Sequence, residues 1–321
     1  MRVFSKIGPD RSAIGGRASP GPPHPYRPAF EARQTGSFDD RLPLPPCRGG
    51  VSLPTAPYLW PLPAGFIGYN PYMGARFLLS PHLDDAVLSC GGLIARWINR
   101  GYDVTVLTIF AGDPPPGPLS PFAQELHSQW DQADGAVASR RAEDRIACGR
   151  LGASVAHLAF PDALYRRSAA GDPLYPNEAS VFGGIQPEED PLVEAICAEL
   201  SPAHEAESTW LCPIGIGGHV DHRLTRRAAE RLGVGLWYYR DLPYDSRGGS
   251  LPAGMSMPTG AEAVLALAPE EIESWATAVA EYRSQVSTFW ADEAELLQEL
   301  TEYHERMGGI RVFTPASEGQ S

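Results

Sequence analysis

Short apolar runs alternate with longer amphipathic stretches along most of the chain. The apolar runs predict five buried strands, at residues 76–80, 104–110, 155–160, 209–212 and 235–239. The stretches with helical spacing predict six helices, at 87–99, 137–151, 190–200, 221–232, 269–283 and 292–306. Because strands that alternate with helices form parallel sheets covered on both faces, the pattern predicts an α/β fold with a mostly parallel sheet.

Three other stretches show neither the apolar runs of strands nor the spacing of helices. Residues 111–135 are rich in Pro, Gly and Asp, and residues 163–185 are also irregular. Loops of that length inside a compact domain are often lids or binding loops, and His127 is expected to be a solvated histidine in the first of them. Residues 1–72 hold 14 of the 32 prolines, which predicts a disordered or loosely draped extension before a single domain at 73–321. Met73 precedes the first strand, so a start site there is an open alternative.

The charge of the chain excludes some partners. The formal net charge is −13, and residues 1–72 carry +4, so the predicted domain carries −17. A surface so acidic repels a phosphate backbone, and we expect no nucleic-acid partner. The chain contains no run of 18 or more apolar residues, so we expect no membrane span. The N-terminus lacks the apolar segment of a signal peptide. We therefore expect a cytoplasmic protein, and the pattern leaves its oligomeric state open.

Two short polar motifs follow predicted strands. The first, SPHLDD at 80–85, contains His82, Asp84 and Asp85, and the second, GGHVDH at 217–222, contains His219 and His222. Ligand sites of open α/β sheets lie at the carboxyl ends of strands, which favours a functional interpretation. A catalytic zinc requires three N or O ligands and leaves room for water. The alternative is that an aspartate caps the first helix, and that the two histidines are surface or capping residues.

Further segments occur in the order expected for one enzyme family. The two motifs resemble the (P/A)HxDD and HxxH motifs of the LmbE-like/PIG-L zinc N-deacetylases. Residues 140–143 (RRAE), 158–162 (LAFPD) and 282–285 (YRSQ) resemble that family's arginine–glutamate helix, its Pro-Asp strand end and its Tyr-x-Ser-Gln segment. The resemblance extends over about residues 76–310. It implies a Rossmann-like fold with one catalytic domain.

The resemblance also implies a role for each matched residue. His82, Asp85 and His222 would hold Zn²⁺, and Asp84 would be the general base. His219 would polarise the amide oxygen or protonate the leaving amine. The implied reaction removes the N-acetyl group from an amino sugar or small glycoside and releases acetate. The alternatives are an amidase that cleaves a larger acyl group or a thiol–sugar conjugate, and a relative that binds a glycoside without turnover.

Two matched residues would contact the substrate, and two others depart from the family pattern. Arg140 and Asp162 are the implied substrate residues, but Arg140 could instead pair with Glu143, and Asp162 could close a Pro-Asp turn. Leu83 replaces the usual proline. Ala86 stands where a glutamate is common, so a carboxylate that orients a metal-binding histidine is either missing or supplied from elsewhere.

Overall fold

The computed structural model describes residues 74–130, 135–203 and 208–315. The predicted extension at 1–72, the boundary at residue 73 and the alternative start at Met73 lie outside these ranges, so they stay predictions. The described residues belong to one compact unit.

The predicted parallel sheet is confirmed and is extended by two antiparallel strands. Its seven strands lie in the order β3-β2-β1-β4-β5-β7-β6. Strands β1 to β5 are parallel to one another, and β7 runs antiparallel to β5 and β6. The strands are β1 Arg76–Ser80, β2 Val104–Thr108, β3 Ser154–His157, β4 Thr209–Pro213, β5 Leu236–Tyr239, β6 Ala261–Leu265 and β7 Ile310–Thr314.

Helices cover both faces of the sheet. They are α1 Asp85–Asn99, α2 Pro121–Gln129, α3 Ala136–Arg150, α4 Glu178–Val181, α5 Asp190–Leu200, α6 Val220–Glu230, α7 Pro269–Val279, α8 Arg283–Phe289 and α9 Glu293–Met307. Helices α1, α3, α7 and α9 pack on one face, and α5 and α6 pack on the other. None of the helices within the described ranges combines the length and the apolar character that crossing a membrane requires.

Strand β1, in the interior of the sheet, shows why the predicted strands are apolar throughout. Leu78 and Leu79 are both fully buried, and each belongs to the core of a different face. Successive side chains of a strand point to opposite faces, so a strand covered on both sides needs apolar residues at every position. On one face α1 approaches α7 closely, and the absence of a side chain at Gly91 makes room for this. A Cβ on Gly91 would lie 2.3 Å from the ring of Trp275.

The structure corrects several local expectations. The stretch 111–135 contains α2, which begins after Ser120 with a serine cap and a proline in its first turn. The stretch 163–185 contains the short α4. The helix predicted at 269–283 ends at Val279, and a separate helix, α8, begins at Arg283. Strands β6 and β7 were not predicted. Strand β6 is largely exposed at the edge of the sheet, so its sequence carries little apolar signal.

Candidate metal centre

The two polar motifs lie side by side because their strands are neighbours. Strands β1 and β4 pair in parallel, so their carboxyl ends meet at one edge of the sheet. His82 follows β1, and His222 lies in the first turn of α6, which follows β4 after the loop at 214–219. The ring centroids of the two histidines are 5.4 Å apart. The sequence separation of 140 positions is therefore closed by the sheet topology.

Asp85 lies between these two histidines. Its Oδ2 atom is 3.0 Å from His82 Nδ1 and 3.3 Å from His222 Nε2, and it accepts the backbone N–H of His82 at 2.8 Å. Donor atoms around a tetrahedral zinc lie about 3.3 Å apart, since each bond is about 2.0–2.1 Å long. We refer to His82, Asp85 and His222 as the candidate metal centre.

An unsatisfied nitrogen supports a cation at this position. His222 is buried, and among the described residues its Nε2 has no hydrogen-bond partner, although it lies within ion-pair distance of Asp85 Oδ2 at 3.3 Å. Burial would lower the pKa of His82, but the carboxylates of Asp162 and Asp85 outweigh it and raise that pKa well above 6.5. The same negative surroundings that hold a proton on this imidazole would favour a bound cation.

Within the described residues, the groups whose donor atoms all lie within 4.8 Å of one another are His82, His219 and His222, and His82, Asp162 and Asp221. Neither group contains Asp85, which instead lies between two of the histidines. Asp221 is a poor free ligand, since its Oδ2 already accepts the backbone N–H of Ala163 at 3.0 Å. The histidine combination includes both histidines of the candidate metal centre.

The outer nitrogen of each histidine faces a buried aspartate. His222 Nδ1 lies 2.7 Å from Asp241 Oδ1, and His82 Nε2 lies 3.0 Å from Asp221 Oδ2. A carboxylate behind a histidine fixes the ring and favours the tautomer that can bind a metal. The carboxylate that the Ala86 position does not provide is thus supplied by other residues. Asp241 follows β5 in the segment YYRDLPY. Its position after a strand is the only feature of the sequence that favours a functional role for this residue.

Asp84 is not a helix cap. It precedes α1, but its side chain makes no capping hydrogen bond, and the hydroxyl of Ser80 accepts the N–H of Ala86 instead. Asp84 Oδ2 lies 3.5 Å from a guanidinium nitrogen of Arg140. Burial and then the charge of Asp85 raise the pKa of Asp84 to about 6. A carboxylate with a raised pKa beside the candidate metal centre is suited to accepting a proton.

His219 combines a structural and a chemical position. It precedes α6, and its Nδ1 accepts the backbone N–H of Asp221 at 3.2 Å, so the capping alternative holds for this residue. A neutral imidazole that accepts at Nδ1 carries its proton on Nε2. Burial and the proximity of His82 keep the pKa of His219 well below 6.5. The ring, 4.7 Å from that of His82, can therefore donate a hydrogen bond from Nε2.

Helix α3 presents Arg140 to the site. Its guanidinium lies 5.0 Å from the Trp130 ring centroid, and its buried Nε has no hydrogen-bond partner within the part of the chain that the structure describes. The alternative of a pair with Glu143 is not observed, because Glu143 accepts the N–H and hydroxyl of Ser284 at 3.0 and 2.6 Å. The YRSQ segment thus holds the helix that carries Arg140.

Asp162 serves a turn and also faces the site. Its Oδ1 accepts the N–H of Leu164 at 3.0 Å, as the turn alternative expects. Its Oδ2 lies 3.6 Å from His82 Nε2, so the other carboxylate oxygen lies beside the candidate metal centre. All seven residues implied by the resemblance lie around one point, and their roles remain proposals.

Aromatic rings border the two histidines of the second motif. Phe182 lies 5.4 Å from His219, and Tyr244 lies 5.6 Å from His222, between ring centroids. A Cβ at Gly217 would lie 2.6 Å from Tyr244, and the φ of this glycine is +90°. Glycine is therefore needed beside this tyrosine on both counts.

One histidine outside the motifs lies elsewhere than expected. His127 was expected in a solvated loop, but it is buried on α2, and its Nε2 lies 2.7 Å from the Tyr165 hydroxyl. The apolar residues Phe122 and Leu126 of the same helix pack in the cluster that contains Leu83. Helix α2 therefore helps to cover the loop that carries His82.

Comparisons with known proteins agree with the family resemblance. A family model described as PIG-L, GlcNAc-PI de-N-acetylase, matches residues 77–232. The 2'-N-acetylparomamine deacetylase of Niallia circulans is 36% identical, over 53% of this chain and 67% of that protein. The enzyme of the same name from Streptomyces fradiae is 34% identical, over 53% of this chain and 58% of that protein.

Solved structures of deacetylases share the fold. The zinc-inhibited form of teicoplanin deacetylase Orf2 has a TM-score of 0.64 and 30% identity, and the match covers 76% of this chain and 100% of that chain. The A40926 pseudoaglycone deacetylase Dbv21 has a TM-score of 0.60 and 29% identity, with 76% and 99% covered.

Proposed function

Because the chain belongs to the PIG-L (LmbE-like) family, whose relatives here are deacetylases of N-acetylated amino sugars, we propose that it is a zinc-dependent N-deacetylase. Its substrate would be an N-acetylated amino sugar or small glycoside, and acetate would be released. The observation that carries the proposal is the position of Asp85 Oδ2 between His82 Nδ1 and His222 Nε2.

His82, Asp85 and His222 would hold the metal. Two imidazole nitrogens and one carboxylate are a ligand set typical of catalytic zinc. When bound, zinc supplies Lewis acidity, which polarises the amide carbonyl and makes a water molecule more acidic. The N/O ligand set also accommodates other divalent metals, so the identity of the metal needs its own measurement.

The protein's own groups would move the protons. Asp84 takes a proton from the attacking water, whose oxygen forms a bond with the acetyl carbon. His219 Nε2–H donates to the developing oxyanion or to the departing nitrogen. The C–N bond then breaks as the departing nitrogen receives a proton, either from His219 or back from Asp84. The free amine and acetate are the two products. Each step has a positioned group, and no covalent bond to the protein is required.

Arg140 and Asp162 would position the substrate. The Arg140 guanidinium lies 3.5 Å from Asp84 and the Asp162 carboxylate 3.6 Å from His82, so both lie beside the candidate metal centre, where they would bond a hydroxyl or a carbonyl of the sugar. Phe182 and Tyr244 lie beside the two histidines of the second motif and offer apolar ring surface. A pyranose has apolar C–H faces as well as hydroxyl groups, so this combination suits a sugar.

Acetate release from purified protein tests the proposal. The metal-stripped protein is titrated with zinc up to one equivalent, because a relative has a zinc-inhibited form. N-acetylated amino sugars, aminoglycosides and glycosides are then screened, with Asp84→Asn as the matched inactive control. Release of acetate that depends on metal and on Asp84 is the expected result. Release of only longer acyl groups would instead favour the amidase alternative, and binding without any release would favour the non-catalytic one.

A further inference from the structure

A buried arginine lies directly behind the candidate metal centre. Arg166 follows the 3-10 turn at Ala163–Tyr165, and its side chain is only 6% exposed. Its Nη2 lies 2.6 Å from Asp221 Oδ1, and its Nε bonds Glu189 Oε1. Its Nη1 donates to the Pro161 carbonyl at 3.1 Å. The guanidinium is therefore held on several sides.

Among the contacts described, Asp221 faces two groups that can carry positive charge, the guanidinium of Arg166 and the imidazole of His82, and of these Arg166 also pairs with Glu189. Asp221 and Glu189 are both buried, at 0 and 2% exposure. The Phe110 and Tyr175 rings lie 5.0 and 5.5 Å from the guanidinium carbon. A buried carboxylate without compensation costs several kcal/mol, roughly, so one guanidinium between two carboxylates is needed to keep both charged.

The contacts of Asp221 run from Arg166 to His82. Its Oδ1 faces the guanidinium, and its Oδ2 faces His82 Nε2 at 3.0 Å. Oδ2 also accepts the N–H of Ala163 at 3.0 Å. The ion pair between Arg166 and Oδ1 favours the carboxylate orientation in which Oδ2 faces the imidazole. In the neutral ring that metal binding requires, a hydrogen bond from Nε2 to Asp221 would leave the lone pair of Nδ1 for the metal.

We infer that Arg166 is a positioning residue for metal binding, which acts through Asp221 on the ring of His82. The inference rests on the proposed function, because it needs a metal at His82, Asp85 and His222. None of the contacts described for Arg166 is with His82, Asp85 or His222, and none of the sequence motifs includes it.

The test compares zinc affinity with stability. Arg166→Lys keeps the charge but loses the planar group that contacts Asp221 and Glu189 together. Changes behind metal ligands typically weaken binding by about 10–100-fold, and we expect a rise of about tenfold in the zinc Kd, measured by competition with a chromophoric chelator. Tyr175→Phe is the matched control, since it removes the hydroxyl that bonds Glu189 on the far side of Arg166. This control should lower Tm at most and leave the zinc Kd unchanged.

A double-mutant cycle tests the route through Asp221. If Arg166 acts through this aspartate, adding Arg166→Lys to Asp221→Asn should change the zinc Kd by less than about threefold. Additive losses would overturn the route. If Arg166→Lys does not fold, Arg166→Gln with Glu189→Gln removes one buried charge of each sign, and Glu189→Gln alone is its reference.

The outcomes separate this inference from the proposed function. A folded Arg166→Lys protein with a zinc Kd within twofold of wild type would overturn the positioning role, while the metal centre would stand. Wild-type protein that bound no divalent cation would overturn both. A Kd that changed equally in Arg166→Lys and Tyr175→Phe would show a general loss of packing and would also contradict the inference.

Discussion

His82 and His222 each turn one ring nitrogen toward Asp85 and the other toward a buried aspartate, but the two aspartates are supported differently. Behind His222, Asp241 Oδ2 accepts the backbone N–H groups of Gly215 and Ile216 at 2.8 and 2.9 Å. Behind His82, Asp221 is held by one backbone N–H and by the side chain of Arg166. We call these the His222 side and the His82 side.

The difference has a topological cause. Asp241 follows β5 and lies beside the loop that follows β4, so two adjacent parallel strands bring its partners together. Arg166 belongs to the irregular stretch between β3 and α5. Side-chain contacts, such as those of Arg166 with Glu189 and Asp221, hold this stretch in place. A support made of backbone groups depends on the fold alone, whereas a support made of a side chain can be altered by one substitution. The following predictions test this contrast.

Removal of the shared ligand should have the largest effect, since both sides meet at it. Asp85→Ala should abolish detectable turnover and stoichiometric zinc binding. The variant should also lose the rise in Tm that zinc gives the wild type, because a bound metal stabilises the folded state. Elemental analysis, acetate release and thermal melting with and without zinc provide the measurements. Wild-type zinc content in this variant would refute the ligand assignment.

Asp84 is chemically identical to its neighbour but belongs to neither side. Asp84→Asn should reduce kcat by roughly 10²–10⁴-fold, the range for loss of general acid–base catalysis, while zinc content stays near wild type. Asparagine is nearly isosteric, so the fold should not change. Metal content and kcat are measured on the same preparation. Normal turnover, or zinc loss equal to that of Asp85→Ala, would contradict the division of roles.

The His222 side can be broken by changing one atom. In Asp241→Asn the amide oxygen can still accept both backbone N–H groups, but the amide NH₂ then faces His222 Nδ1. The ring must accept that hydrogen bond, so its proton moves to Nε2, the nitrogen proposed to bind zinc. We expect the zinc Kd to rise by about 10–100-fold with little change in Tm without metal. Tyr239→Phe, which removes a hydroxyl bonded to the Leu79 carbonyl at 2.8 Å, is the matched control.

The success of the sequence-based predictions follows the same contrast. The parallel strands and their motifs could be predicted because a strand buried on both faces needs a continuous apolar run, as at β1. The pairing of Asp241 with His222 could not, because it depends on which strands are neighbours. Arg166 gave no signal at all, since an arginine in an irregular stretch is usually solvated. Helix α2 was missed because prolines and glycines at its start resemble a loop.

Arg140 tests substrate binding without touching either side. Arg140→Lys keeps the positive charge near Asp84 but loses the planar group that stacks on Trp130. We expect KM to rise by about tenfold, with kcat and zinc affinity nearly unchanged, because a uniform binding contact is lost. Steady-state kinetics on the substrate found in the acetate screen would show this. A fall in kcat at constant KM would assign Arg140 to the chemical step.

The smallest effect is expected for His304, which lies far from both sides. Its contribution to the pH dependence of Tm must be known before any pH effect on Tm is assigned to the metal centre. His304 Nε2 accepts the backbone N–H of Leu267 at 2.9 Å, and burial lowers its pKa. The unfolded chain therefore binds a proton more readily than the folded protein, so this contribution to stability is present above pH about 6.5 and is lost as the pH falls below it. Glutamine can accept the same hydrogen bond and does not titrate. With metal removed by a chelator, His304→Gln should melt within about 2 °C of wild type at pH 7.5 and should lose less Tm between pH 7.5 and 5.5. Parallel curves of Tm against pH for the two proteins would show that the hydrogen bond of His304 contributes nothing to acid sensitivity.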